Sequence, residues 1–98
     1  MFITDLSHWN FPPGVTEPQL ELALSRAKAA GLVAVLWKCT EAVNYIDDTY
    51  SMAQAVCKKL SILFGAYHFL RRGDPVGQAQ FFLGVANPDA KTLVALDF

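Results

Sequence analysis

Leu93-Val94-Ala95-Leu96-Asp97-Phe98 decides how this chain is read. Four apolar residues run into a carboxylate, the form of a short buried strand that delivers an acid at its C-terminal end. Three earlier stretches share that form. Phe2-Ile3-Thr4-Asp5 is apolar and ends in a carboxylate. Leu32-Val33-Ala34-Val35-Leu36-Trp37-Lys38 leads into a charged run that reaches Glu41. Ile62-Leu63-Phe64-Gly65-Ala66-Tyr67-His68 ends in two polar-tipped rings. From the second to the fourth, the apolar runs recur about every thirty residues, the size of one βαβ step.

The segments between these runs read as loops and helices. Phe11-Pro12-Pro13-Gly14 forbids regular structure. Thr16 followed by Gln19 is a capping-box pattern, and Leu20, Ala23, Leu24 and Ala27 make one apolar stripe of a helix running to about Ala30, stopped by Gly31. Residues 38–48 read as a polar loop. A second helix is expected from Asp47 or Asp48, with the acids at its positive end, to about Leu60, with Met52, Ala55 and Val56 on its apolar side. Asp74-Pro75 opens a third helix with Val76, Ala79, Phe82 and Leu83 on one stripe, and Asn87-Pro88-Asp89 breaks it. The class is therefore α/β, a parallel βαβαβαβ chain with helices outside. No GxGxxG or GxxxxGK[ST] follows any strand, which disfavours a nucleotide-binding sheet. A closed eight-stranded barrel needs about 250 residues, so the chain amounts to roughly half of one.

Composition limits the partners. The 98 residues make one domain at most, and 53% are hydrophobic. Soluble domains usually hold about 45–50%. A domain of this length has little interior in which to bury the excess, and a second half or a partner subunit would supply the missing cover. The net charge of −1 offers no footprint for nucleic acid. Lys58-Lys59 and Arg71-Arg72 read as solvated pairs. No apolar run approaches the roughly 18 residues of a membrane span. The N-terminus enters a strand directly, so the expected location is the cytosol, or outside the cell after processing or by a route without a signal. Cys39 and Cys57 have no metal or redox spacing and read as buried free thiols.

Asp5 and Asp97 end strands on one expected rim, and Glu41 lies just past a third strand end. Facing carboxylates suit glycoside hydrolysis, in which one acid protonates the leaving oxygen and another stabilises positive charge at the sugar. Each aspartate alone could equally cap a loop or finish a strand; their equivalent placement favours chemistry. Trp9, Trp37, Tyr45, Tyr67 and Phe69 fall at the same rim, where sugar faces can stack. Trp37 and Phe69 read better as core, whereas Tyr45 and Tyr67 carry hydroxyls suited to substrate. Lys38 could pair with Glu41 or touch substrate. His8 and His68 have no ligand spacing with Asp5, so no metal is expected.

Taken together, Asp5-x-Ser7-x-Trp9, Lys38-Cys39-Thr40-Glu41 with Tyr45-x-Asp47, Gly65-Ala66-Tyr67-His68-Phe69, Gln78-Ala79 with Phe82, and Leu96-Asp97 resemble family 25 of the glycoside hydrolases, the N-acetylmuramidase lysozymes. The order and spacing agree over the whole chain. The resemblance implies an irregular, TIM-like β/α barrel, of which residues 1–98 are the N-terminal half of one catalytic domain. It implies hydrolysis of the β-1,4 bond between N-acetylmuramic acid and N-acetylglucosamine in bacterial peptidoglycan, without metal or organic cofactor, in the extracellular space or cell wall. Asp5 resembles the first-strand acid and Asp97 the first acid of the family's Asp-x-Glu, whose Glu is the proton donor. Lys38, Glu41, Tyr45 and Tyr67 match groove positions. Ala42 replaces the glycine usual after Thr-Glu, which implies a different loop path. The Glu would stand one residue past Phe98, so the 98-residue chain alone is expected to be inactive or nearly so, with Glu41 a weak substitute. A non-catalytic saccharide-binding module and a half-barrel that self-associates through an exposed sheet edge are the rival expectations.

Overall fold

The computed structural model describes residues 1–88 and 92–97. Asp89 and Phe98, used above as a helix stop and a strand end, lie outside the described residues, and so do the side chains of Leu96 and Asp97. The chain runs β1 (Phe2–Leu6), a 3-10 turn (His8–Asn10), α1 (Glu17–Ala29), β2 (Leu32–Glu41), β3 (Tyr45–Ile46), α2 (Tyr50–Leu60), β4 (Leu63–Phe69), α3 (Pro75–Ala86) and β5 (Leu93–Asp97). The four long strands pair in parallel in the order β1-β2-β4-β5. Strands and helices alternate as the apolar runs imply.

Two features differ from the reading of the sequence. The 38–48 segment is not a loop throughout, because β2 continues to Glu41 and β3 folds back on it in antiparallel register, Thr40 opposite Ile46 and Glu41 opposite Tyr45. β1 stops at Leu6, opposite Trp37, so β2 would otherwise be left with an unpaired edge beyond that point. The short return strand takes over the pairing that β1 leaves.

The second difference concerns the helix stripes. Thr16 and Gln19 do close the capping box of α1, but Leu20 and Leu24 carry its buried face and Ala23 is exposed. In α2, which starts at Tyr50 rather than at Asp47 or Asp48, the buried residues are Tyr50, Ala53, Val56 and Cys57, and Ala55 is exposed. In α3 they are Gln78, Phe82 and Ala86, whereas Val76 and Leu83 face solvent. Pattern alone would never choose Gln78 for the inside.

The buried helix residues other than Gln78 pack with Leu32, Val35, Trp37, Cys39, Ile62 and Ala66 into one core on one face of the sheet. The other face is a different surface. Cross-strand register places Ile3, Ala34 and Leu63 together, then Leu36, Gly65 and Leu93. Ile3, Leu63 and Leu93 are 67%, 66% and 64% exposed. Gly65 is the point of closest approach: a Cβ there would stand 2.5 Å from Leu36 Cδ2 and 3.0 Å from the Leu93 carbonyl.

The strands are also staggered. Leu63 opens β4 opposite Ala34, two residues into β2, and Leu93 opens β5 opposite Gly65, two residues into β4. From β2 to β4 to β5 each strand starts higher, as tilted strands of a barrel do.

Candidate active site

The C-terminal ends of the strands gather the candidate residues on the face opposite the helices. Lys38 lies opposite Tyr67, Glu41 opposite Phe69, and Phe69 opposite Asp97. Strand alternation puts these positions on the side of Asp5, which pairs with Leu36 in the row of Gly65 and Leu93. Asp5 and Asp97 are therefore not on one cross-strand row. Asp97 stands four residues above Leu93, about 13 Å of strand. The climb of the strand starts runs in the same sense, so both aspartates still lie at the C-terminal ends of their strands, Asp5 one residue before the last of β1. Asp5 is exposed.

Lys38 and Glu41 are three apart in one strand, a spacing that normally points side chains to opposite faces. A register shift between Lys38 and Thr40 absorbs one residue, so Lys38 and Glu41 face partners, Tyr67 and Phe69, that are only two apart. The bulge keeps both Cys39 and Thr40 on the buried side and leaves the two charges on one face. Lys38 Nζ then donates to Glu41 Oε1 at 2.5 Å. Arg71, from the loop after β4, closes on the other oxygen, with Nε at 2.6 Å and an Nη at 2.5 Å from Oε2. Aromatic faces floor the cluster: Lys38 Nζ lies 5.2 Å from the Tyr45 centroid and 5.3 Å from that of Phe69, and the Arg71 guanidinium 4.8 Å from that of Phe69. Phe69 thus belongs to the rim and not, as read above, to the core, whereas Trp37 is fully buried.

The Lys38 hydrogen bond holds the Glu41 carboxyl below its usual range; partial desolvation opposes this, and Arg71 adds to the lowering. A general acid needs the opposite shift, since it must still carry its proton at working pH. Glu41 is thus a fixed hydrogen-bond acceptor and a poor proton donor. Arg71 had read as half of a solvated pair; thirty residues separate it from Glu41, and no local pattern links them.

The exit of β1 is organised by Ser7. Its Oγ accepts from Trp9 N at 3.2 Å, and its own N–H donates to Asn10 Oδ1 at 2.8 Å, which folds the 3-10 turn and leaves Trp9 80% exposed. His8, on the same turn, reaches across to Asp47. That carboxylate is buried and accepts four hydrogen bonds: from His8 N and Nδ1 at 3.0 and 2.7 Å, and from Thr49 N and Oγ1 at 2.9 and 2.6 Å. Trp37 Nε1 donates to Thr49 Oγ1 at 2.9 Å. Burial would raise the Asp47 pKa, but the donors outweigh it and hold the group ionised. His8, Asp47 and Asp48 offer ligand atoms within 4.8 Å of one another, yet both Asp47 oxygens are already engaged by donors. The cluster reads as a clasp between β1 and α2. Beside it opens a cleft of about 410 Å³ walled by Trp9, Phe11, Pro12, Pro13 and Met52, with Asp48 at its edge.

The other histidine points away from the rim. His68 is fully buried between Thr40 Oγ1, 2.7 Å from Nδ1, and Gln78 Oε1, 2.9 Å from Nε2. Cys39 and Cys57 are buried free thiols whose pKa values burial pushes up to about 12. Among the described residues no helix is long and apolar enough to cross a membrane.

Comparison with known proteins agrees with this geometry. The family described as glycosyl hydrolases family 25 matches residues 4–98. An autolytic lysozyme of Clostridium acetobutylicum is 36% identical over 55 residues, which cover 56% of this chain and 17% of that protein. Among solved structures, a bacterial lysozyme from Streptomyces coelicolor superposes with a TM-score of 0.74 at 31% identity, over 94% of this chain and 41% of that one. A muramidase from Acremonium alcalophilum does so with a TM-score of 0.74 at 26% identity, over 94% of this chain and 43% of that one. The chain thus spans about two fifths of the solved structures it matches and a smaller share of the curated relative.

Proposed function

The chain belongs to glycosyl hydrolase family 25, and from that premise we propose that residues 1–98 form the N-terminal half of a muramidase domain that hydrolyses the β-1,4 bond between N-acetylmuramic acid and N-acetylglucosamine in peptidoglycan. The observation that carries this reading is the shared face of Asp5, Lys38, Glu41, Tyr67 and position 97 at the strand ends.

Each group then has a role that its surroundings suit. Asp5 is exposed and free to meet positive charge developing at the anomeric carbon. Asp97 directs the substrate's acetamido group or shares in stabilising that charge. Lys38 donates and Glu41 accepts hydrogen bonds from the saccharide, while Tyr45 and Tyr67 border the groove. Glu41, pinned by two cations, does not protonate the leaving oxygen. On the family resemblance the proton donor is a group outside residues 1–98, which makes the isolated chain inactive or nearly so, since general-acid catalysis contributes about 10²–10⁴-fold.

A second reading, self-association, draws on two observations. β5 pairs only with β4 among the described residues, and the sheet face opposite the helices exposes Ile3, Leu63 and Leu93. Two copies could cover each other's edge and face.

The test compares the natural full-length product with the 98-residue chain for release of reducing ends from purified peptidoglycan. The full product should cleave, its Asp5→Asn variant should lose about 10²-fold or more in kcat, and the short chain should not cleave. Cleavage by the short chain would make Glu41 the donor and sink the role assigned to it. Binding without cleavage by the full product would favour a saccharide-binding module, and a stable dimer in sedimentation the self-associating half-barrel.

A further inference from the structure

We propose that Gln78 is a positioning residue for the saccharide rim, acting through Arg71 to hold the Glu41 carboxylate in one place beside Lys38; this deepens the muramidase reading and rests on it for the identity of the ligand.

Gln78 sits where the stripe of α3 calls for an apolar side chain, in line with Phe82 and Ala86. It is 1% exposed, and its amide has no spare capacity. Oε1 accepts from His68 Nε2 at 2.9 Å and from Arg71 N at 3.0 Å. Nε2 donates to the Arg71 carbonyl at 2.8 Å and to the Gly73 carbonyl at 2.5 Å. An amide offers two lone pairs and two N–H donors, and all four are used here. One side chain thus binds both backbone groups of Arg71, just past the end of β4.

The second branch returns to the same place. Because Gln78 Oε1 can only accept, His68 donates through Nε2, and its Nδ1 meets Thr40 Oγ1 at 2.7 Å. Thr40 precedes Glu41 in β2. Gln78 therefore braces the two chain segments that supply Arg71 and Glu41.

This bracing answers a physical difficulty. Arg71 is mostly solvent-exposed at its side chain, and a long exposed side chain forms only a weak ion pair, since ordering it costs entropy. Tying down its backbone removes part of that cost before the guanidinium reaches Glu41. The charged groups facing Glu41 are Lys38 and Arg71, and the Tyr45 ring lies beside Lys38. The outcome is a carboxylate of fixed charge and direction, suited to accepting hydroxyl or amide hydrogen bonds from a saccharide.

The test uses the full-length protein with Gln78→Met, Arg71→Ala and the double variant. It reads KM and kcat on peptidoglycan and the titration of the Glu41 carboxyl by carbon-13 NMR. Each single change should raise KM about three- to tenfold with kcat within twofold, and should move the Glu41 titration up toward an ordinary glutamate. The double variant should fall well short of the sum of the two single ones, because both changes cut the Arg71 branch. Gln78→Glu should not rescue, since it keeps an acceptor but loses both donors. Additive effects in the double variant, or a lowered Tm with KM and the Glu41 titration unchanged, would overturn the proposal. Arg71→Ala, on an exposed side chain, keeps the test available if Gln78→Met does not fold; an unmoved Glu41 titration in that variant also overturns it. If the unmodified protein does not act on peptidoglycan, the muramidase reading fails while the Glu41 titration still decides the role of Gln78.

Discussion

His8 Nδ1 lies 2.7 Å from Asp47 Oδ2, and the His8 main-chain N–H donates to the same oxygen. One buried carboxylate thereby fastens the turn after β1 to the entry of α2, 39 residues along the chain. Removing it would leave the His8 and Thr49 N–H groups without an acceptor. Asp47→Ala should cost about 3 kcal/mol or more of stability, as loss of a buried, multiply bonded charge does. Chemical denaturation of the two proteins checks this, and a loss below about 1 kcal/mol would contradict the clasp.

Acid should weaken the fold through the same group. Asp47 and Glu41 both have folded-state pKa values below the ordinary carboxylate range. The unfolded chain therefore takes up protons first as pH falls. The stability these groups contribute is full above about pH 4–5 and is lost as pH drops through their folded-state values. Tm followed from pH 7 to pH 3 should be level at first and then fall, and Asp47→Asn should flatten the fall. A fall of equal size in that variant would assign the acid sensitivity elsewhere.

Ala42 has φ +54°, the left-handed region that penalises a Cβ. Ala42→Gly should stabilise the protein by about 0.5–1 kcal/mol, the relief of strain exceeding the entropy of the unfolded glycine. A shift to lower Tm would mean that the turn after β2 carries no such strain.

The thiols should be inert in the native state. Burial keeps Cys39 and Cys57 protonated at neutral pH, and neither is exposed to reagent. A thiol-reactive chromophore should label neither residue in buffer and both in denaturant; fast native labelling would refute the packing of α2 on β2.

Trp9 tests the groove. Its ring is exposed and leans on His8 with centroids 4.4 Å apart. Trp9→Ala in the full-length product should leave stability within about 0.5 kcal/mol, yet raise KM for peptidoglycan about three- to tenfold if a sugar stacks there. An unchanged KM would place the saccharide path away from the β1 turn.

Much of the architecture was legible along the chain. Apolar runs that end in polar groups and recur near thirty residues define strands joined by crossovers, and the Thr16 and Asp74 caps mark where two helices begin. The extent of β2 was not legible. Nothing local to Thr40-Glu41 says strand; β3 and β4 supply their pairing from either side. The burial of Gln78 was hidden for a related reason, since an amide enters a core only when partners outside its own helix satisfy it, and here those partners are His68, Arg71 and Gly73.

The sequence by itself determined the alternation of the four long strands with three helices and the set of polar residues at strand ends, because periodicity and capping are local properties of a chain. It also carried the family pattern through Asp5, Lys38, Glu41, Tyr45, Tyr67 and Asp97. Only the tertiary structure decided what Glu41 is. In sequence it is one acid beside one lysine. In the fold, a bulge at Cys39 turns Lys38 onto its face and the end of β4 brings Arg71 from thirty residues away. Charge state depends on neighbours in space, so a residue that could be an acid catalyst in the sequence becomes a clamped carboxylate in the folded protein.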